Sequence, residues 1–294
     1  MFFNKICNDI CIFEKNVVLL QPMKHIRIIS PASAIREDYV TDAKARLESW
    51  GYRVSIGAHA LGKHGRFSGT EAERLEDLNA AFADEEVDII LCSRGGYGLQ
   101  QIVDKIVLPT REKEDWPLVV GFSDITVLHA LMSINGVPSL HAPMCKAIAT
   151  LPEDSPALQG LREALEEGVS SKLNVIGGNL SVLYGLQGTP YSLNEMIDRC
   201  AEPPALLLED IDEQHYHIDR MLHNLRMSGV LSRIRGVIVG HFTNCPDDPR
   251  MGCSLEETIK SHFAEYGYPI IFGAPYGHED LNLPVYLSCN RLRK

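Results

Sequence analysis

Four short segments of this 294-residue chain carry residues that can do chemistry, and each follows an apolar run that reads as a β-strand. The first, Ser93-Arg94-Gly95-Gly96-Tyr97-Gly98, has glycines that let the backbone turn sharply and offer N–H groups to an anion. Its spacing is neither G-x-G-x-x-G nor a P-loop, and a plain tight turn is the alternative. The second is Gly121-Phe122-Ser123-Asp124-Ile125. A serine on a sharp strand-to-helix turn exposes its hydroxyl, and the N–H of Asp124 would face an oxyanion. Ile125 stands where a full G-x-S-x-G has its last glycine, so a helix cap by Ser123 or Asp124 competes with this reading. The third, Leu206-Leu207-Leu208-Glu209-Asp210-Ile211-Asp212-Glu213, runs an apolar strand into four carboxylates. One of them can orient a histidine; a solvated acidic loop is the bland account. The fourth, Ala274-Pro275-Tyr276-Gly277-His278-Glu279-Asp280, places a histidine after a glycine in a loop, as a general base or simply a surface residue.

In chain order these segments supply a serine, a carboxylate and a histidine. Acyl transfer needs a nucleophile, a base for its proton, a group that fixes the base's tautomer and N–H donors for the oxyanion. Each part has a candidate. A metal site is a weaker reading: His215, His217 and His223 cluster in sequence, but they also fit the start of an ordinary amphipathic helix.

The elements that must hold these segments alternate in type. His25–Ser30, Tyr52–Ile56, Val87–Cys92 and Leu118–Val120 read as strands, and Glu37–Trp50 as a helix closed by Gly51. Ser68-Gly69-Thr70-Glu71 has capping-box spacing and opens a second helix through about Ala83, and Ile125–Ile134 reads as a third. This rhythm predicts a parallel sheet of flavodoxin or Rossmann-like type with helices on both faces. The stretch Cys145–Lys172, with PEDSP and LREALEEG, changes character and reads as a linker. Apolar runs at Leu206–Leu208, Gly236–Val239 and Pro269–Phe272 then predict a second, mixed α/β domain.

Composition excludes several classes. The net charge of −11 disfavours nucleic acid and anionic membrane surfaces as partners. The longest uncharged runs, Ile125–Cys145 and Leu173–Asn194, are broken by Gly, Pro, Asn or His, so no membrane span is expected. Lys5, Asp9, Glu14 and Lys15 interrupt the opening segment, which lacks the apolar core of a secretory signal; Met23 reads as the initiator. The eight cysteines show no C-x-x-C pair and read as reduced, cytosolic thiols, with Cys92 in the core.

The motifs ISPAS, SRGGYG, GFSDIT, GGNLSVL, LLLEDIDE…YxIDRML and GH…NLP, in this order from about Ile26 to the C-terminus, resemble the LD-carboxypeptidases, the muramoyltetrapeptide carboxypeptidases. The resemblance implies a metal-independent serine peptidase without a cofactor. It implies release of the terminal D-alanine from murein tetrapeptides during cytoplasmic cell-wall recycling. It maps the nucleophile to Ser123, the acid to Glu209 and the base to His278, with oxyanion donors at the N–H groups of Asp124 and Gly96. Glu209 also stands first after its apolar run, at the strand edge where ligands of open sheets gather. The implied organisation is an extension over residues 1–22, a nucleophile domain over 23–145, a linker over 146–172 and a C-terminal domain over 173–294 bearing Glu209 and His278. Family members are often dimers, so a homodimer is an expectation. HAPM (His141–Met144) stands where HGPM is commoner, and GHEDLNLPVY lacks the usual glycine after its proline, so the last strand is expected to be shifted. The alternatives are a related hydrolase of another amide or acyl bond, of the peptide-antibiotic self-immunity type, and a non-catalytic α/β module that binds a small anion.

Overall fold

In the computed structural model, which describes residues 23–167 and 174–289, two sheets face a shared helix. The expectations for residues 1–22 lie outside the described residues. The strands are β1 (His25–Ile29), β2 (Arg53–Ile56), β3 (Ile89–Cys92), β4 (Leu118–Gly121), β5 (Ser139–His141), β6 (Val175–Asn179), β7 (Ala205–Ile211), β8 (Gly236–Thr243), β9 (Ile270–Ile271) and β10 (Val285–Leu287). The helices are α1 (Glu37–Ser49), α2 (Glu71–Ala83), α3 (Thr126–Ile134), α4 (Cys145–Thr150), α5 (Pro156–Glu167), α6 (Leu180–Gly185), α7 (Leu193–Arg199), α8 (His215–Met227) and α9 (Leu255–Phe263).

The first sheet has the order β10-β5-β4-β3-β1-β2, and the second β6-β7-β8-β9. All neighbouring pairs are parallel except β10 with β5. Central strands such as Ile89–Cys92 are buried on both faces, which is why they read as unbroken apolar runs rather than alternating ones. Val40, Ala43 and Leu47 of α1 meet Ile26, Ile28 and Leu91 on one face. Leu78, Ala81 and Phe82 of α2 cover Ile29 and Ile90 on the other.

Helix α3 is apolar all round, and Thr126 to Ser133 are all buried. Such a helix has no solvent face to offer and must lie between layers. Its Val127, Leu128 and Leu131 share one core with Val119 of the first sheet and with Ile176, Leu206 and Leu208 of the second. The segment between the sheets is helical: Leu158, Leu161 and Leu165 of α5 join the cluster around α1. The end of the chain returns to the first sheet. β10 pairs Val285 with His141 and Leu287 with Ser139, and the next residue, Ser288, bridges to Val175 of β6.

The capping box of α2 lies two residues later than the spacing first suggests. Thr70 accepts from the N–H of Glu73, whose carboxylate accepts from the Thr70 N–H at 2.7 Å. Both Ser68 and Thr70 have a glutamate three residues on. Ser68 is instead buried and gives its hydroxyl to the Ser30 carbonyl, so tertiary packing decides between two equivalent local signals. No helix among the described residues is long and apolar enough to cross a membrane.

Candidate active site

Ser123 stands where β4 gives way to α3. Phe122 is extended, and Ser123 then takes φ 67°, a left-handed conformation that L-residues other than glycine rarely adopt. Such a conformation costs about 1–3 kcal/mol and persists only where the surroundings enforce it. A short 3₁₀ turn, Ser123–Ile125, runs directly into α3. The first N–H groups of such a run have no partner within the helix and face outward with the positive end of its dipole.

The glycine loop lies directly against this turn. A Cβ on Gly95 would stand 2.7 Å from Ser123 Cβ and 3.0 Å from Ser123 Oγ, so only glycine permits the approach. Gly96 has φ 100°, and a side chain there would collide with Ser33 Oγ. Two anchors hold the loop. Ser33 donates its N–H to the Gly95 carbonyl at 3.2 Å and accepts from the Tyr97 N–H through its hydroxyl. Asp124, buried under the turn, accepts from the Leu99 N–H at 3.0 Å. Burial pushes the Asp124 carboxyl up, and the Leu99 bond opposes that.

The carboxylate and the histidine meet from positions 69 residues apart. Glu209 is fully buried near the C-terminal end of β7, and its Oε2 lies 2.7 Å from Nδ1 of His278. Gly277 has φ 123°, and a Cβ there would press to 3.1 Å of Glu209 Oε2. Its N–H donates to Asn282 Oδ1 at 3.0 Å, which pins the loop that presents His278. The His278 ring packs edge-on against Phe122 at 4.8 Å between centroids. The histidine of the second half therefore touches the residue that precedes Ser123.

The four carboxylates after β7 separate into different tasks. Glu209 holds His278. Asp210 points the other way and accepts from Ser181 N at 2.8 Å, Ile211 N at 2.9 Å and Asn179 Nδ2 at 3.0 Å. Burial, with the neighbouring Glu209 charge adding to it, pushes Asp210 up to about 7 against these bonds. Asp212 takes φ 60° in a turn and accepts from Asn244 Nδ2. Glu213 pairs with His217 at 3.0 Å. The GGNLS segment joins the halves, because the Asn179 N–H donates to Thr126 Oγ1 at 3.0 Å, on the first residue of α3.

The histidines that suggest a metal in sequence do not converge. His215 is buried, bonding Thr258 Oγ1 at 2.7 Å, with its Nδ1 accepting from the Asp248 N–H. His217 turns to Glu213, and His223 lies near Asp219 and His262. Two other histidines back the site and escape the sequence reading. His129 sits between the Gly121 carbonyl and Ser139 Oγ, and burial lowers it to about 4. His141 lies tilted against Phe122 at 5.6 Å between centroids and is lowered to about 3 by burial and the nearby histidines, so it stays neutral. The HAPM motif was its one visible signal.

Residues 26–142 match the LD-carboxypeptidase N-terminal domain, and residues 174–290 match the LD-carboxypeptidase C-terminal domain. The chain belongs to the LD-carboxypeptidase family. A probable murein peptide carboxypeptidase of Bacillus subtilis is 32% identical over 275 residues, covering 86% of this chain and 83% of that protein. The murein tetrapeptide carboxypeptidase of Pseudomonas aeruginosa is 29% identical over 91% of this chain and 94% of its own. The crystal structure of the muramoyltetrapeptide carboxypeptidase from Oxalobacter formigenes superposes with a TM-score of 0.76, at 24% identity, over 90% of this chain and 93% of that one. The two-sheet α/β fold expected from the motif order is thus the family's fold.

Proposed function

We propose that this LD-carboxypeptidase is a serine enzyme that releases the terminal D-alanine from murein tetrapeptides, using Ser123, His278 and Glu209. The single observation that carries the reading is the buried Glu209–His278 bond of 2.7 Å closing against Phe122, the neighbour of Ser123. With Nδ1–H donating to Glu209, the His278 Nε2 lone pair is the one available to accept a proton. Ser123 Oγ then attacks the carbonyl of the L-centre to D-Ala bond while His278 takes its proton. The N–H groups of Asp124 and Gly96 receive the negative charge that develops on the carbonyl oxygen. Collapse breaks the C–N bond, and His278 returns the proton to the leaving amine. Water, deprotonated by His278, hydrolyses the acyl-enzyme and frees Ser123.

The names of the relatives from Bacillus subtilis and Pseudomonas aeruginosa support murein peptide as substrate class. Cytoplasmic recycling fits the six described cysteines, all of them free thiols. The expected homodimer rests on the family alone, and native mass spectrometry tests it. The direct experiment is incubation with a muramyl tetrapeptide and mass analysis of the products. Loss of one D-alanine by the wild type, with none by Ser123→Ala, is the expected outcome. An intact tetrapeptide, alongside labelling of Ser123 by a phosphonate probe, would redirect the search to another acyl substrate.

A further inference from the structure

Away from the triad, α8 and α9 bring three metal-ligating side chains to one point. Asp219 and His223 stand four residues apart on one face of α8. His262, in the last turn of α9, packs against them and is only 5% exposed. Its Nε2 lies 2.8 Å from Asp219 Oδ1, and His223 Nε2 lies 3.8 Å from the same oxygen. The imidazole rings meet edge to face at 4.5 Å and 87°. One ligand atom from each residue lies within 4.8 Å of the other two.

We propose that Asp219, His223 and His262 form a binding site for a first-row divalent cation, Zn²⁺ foremost, that clamps α8 to α9. Zinc bonds of about 2.0–2.2 Å in tetrahedral geometry place neighbouring ligand atoms about 3.3–3.5 Å apart. The observed separations bracket that spacing, so small side-chain rotations close the site. Two imidazoles and one carboxylate are a zinc donor set, and water completes the fourth position. Partial exposure of His223 and Asp219 gives the ion an entry path.

One residue opposes binding. Arg226 donates to His223 Nδ1 at 3.2 Å. Ligation through Nε2 requires a proton on Nδ1, so Arg226 must turn away, and its charge repels the cation. The metal-free cluster is otherwise a plain hydrogen bond between His262 and Asp219, and the two accounts differ in what Arg226 does.

Calorimetric titration of the EDTA-treated full-length chain with ZnCl₂ tests the site. One equivalent should bind, weakened by about tenfold or more in His223→Gln and in Asp219→Asn. Arg226→Gln should bind more tightly than the wild type. Circular dichroism of the three variants checks the fold, and Co²⁺ absorption of the wild type gives a readout that needs no variant. A tetrahedral Co²⁺ spectrum free of thiolate charge transfer supports the site. Four results would overturn it: no heat with ZnCl₂ up to about 100 μM, unchanged affinity in the α8 variants, weaker binding by Arg226→Gln, or thiolate bands in the cobalt spectrum.

Discussion

The Ser123 side of this site, proposed to supply the nucleophile, and the Glu209–His278 side, proposed to supply the base, are built by different means. Around Ser123 the backbone does the positioning: a strained φ, a strand end, a helix start and a loop with no Cβ at Gly95. Around Glu209 the side chains do it, through a buried carboxylate, an imidazole and an asparagine drawn from distant parts of the chain. Backbone positioning is local, so it is steep in its steric demands and readable from a few consecutive residues. Side-chain positioning is long-range, tolerates more at each position and depends on desolvated hydrogen bonds. Substitutions on the two sides should therefore fail in different ways.

The largest loss belongs to Ser123→Ala. With no hydroxyl there is no acyl-enzyme, and kcat should fall on the order of 10⁵–10⁶ if the subtilisin series is a guide. Normal melting with near-normal D-alanine release would rule out the covalent route. Glu209→Gln comes next. It keeps the shape but presents an amide to His278, and a rate loss of about 10³–10⁴ follows by analogy with the Asp-to-Asn change in the Ser-His-Asp triad. Kinetics of Asp212→Asn and Glu213→Gln set the control, each within about threefold of wild type, as expected of an exposed hydrogen bond to Asn244 and a half-exposed pair with His217. If Glu213→Gln were the dead variant, the acid would be misassigned.

Gly95→Ala breaks the backbone side without removing a reacting group. The new methyl must displace Ser123 or the Phe122 carbonyl, and an ångström of misplacement costs about 10²-fold. KM should change less than kcat. A fully active Gly95→Ala would mean that the loop yields freely and is not a positioning wall.

The smallest effect is on stability rather than rate. Asp210 titrates at about 7 in the fold against 3.8 as its ordinary value. Between those values the unfolded chain has lost a proton that the native state keeps. Stability contributed by this group is therefore complete at the acid end and lost as pH rises towards 7. Asp210→Asn removes that slope. It also turns an amide N–H₂ toward one of the N–H donors, a cost of about 1–3 kcal/mol. Urea unfolding at pH 5 and pH 8 should show the variant gaining stability relative to wild type between the two. A gap unchanged between the two pH values would show that Asp210 is ionised throughout.

What could be read in advance follows the same division. The GFSDI turn, the glycine loop and the strands on either side are signalled by adjacent residues, and the fold places them where those signals say. Glu209 emerges from four carboxylates by standing first after the apolar run. The partners that define it, Gly277, His278 and Asn282, lie roughly seventy residues away with no local mark of the pairing. The cap of α2 shows the limit from the other direction, because two identical local patterns compete and burial of Ser68 chooses. His141 shows in the sequence only through its HAPM motif. A histidine with both ring nitrogens unpartnered among the described residues, tilted against Phe122, carries no spacing signature of its role.

The return of β10 to the first sheet sets an order on biosynthesis. A chain still emerging from the ribosome can pair β1 to β5 with one another early, since these strands all lie in the first half. Until Val285–Leu287 is made, β5 presents an open edge, and Val175 lacks its bridge to Ser288. His278 is added only seven residues before that closing strand. The Ser123 turn thus exists long before His278, the base proposed for it, and the last of the described strands closes the sheet edge soon after His278 arrives. Loss of a dozen C-terminal residues should leave a protein that pairs its exposed β5 edge with other chains.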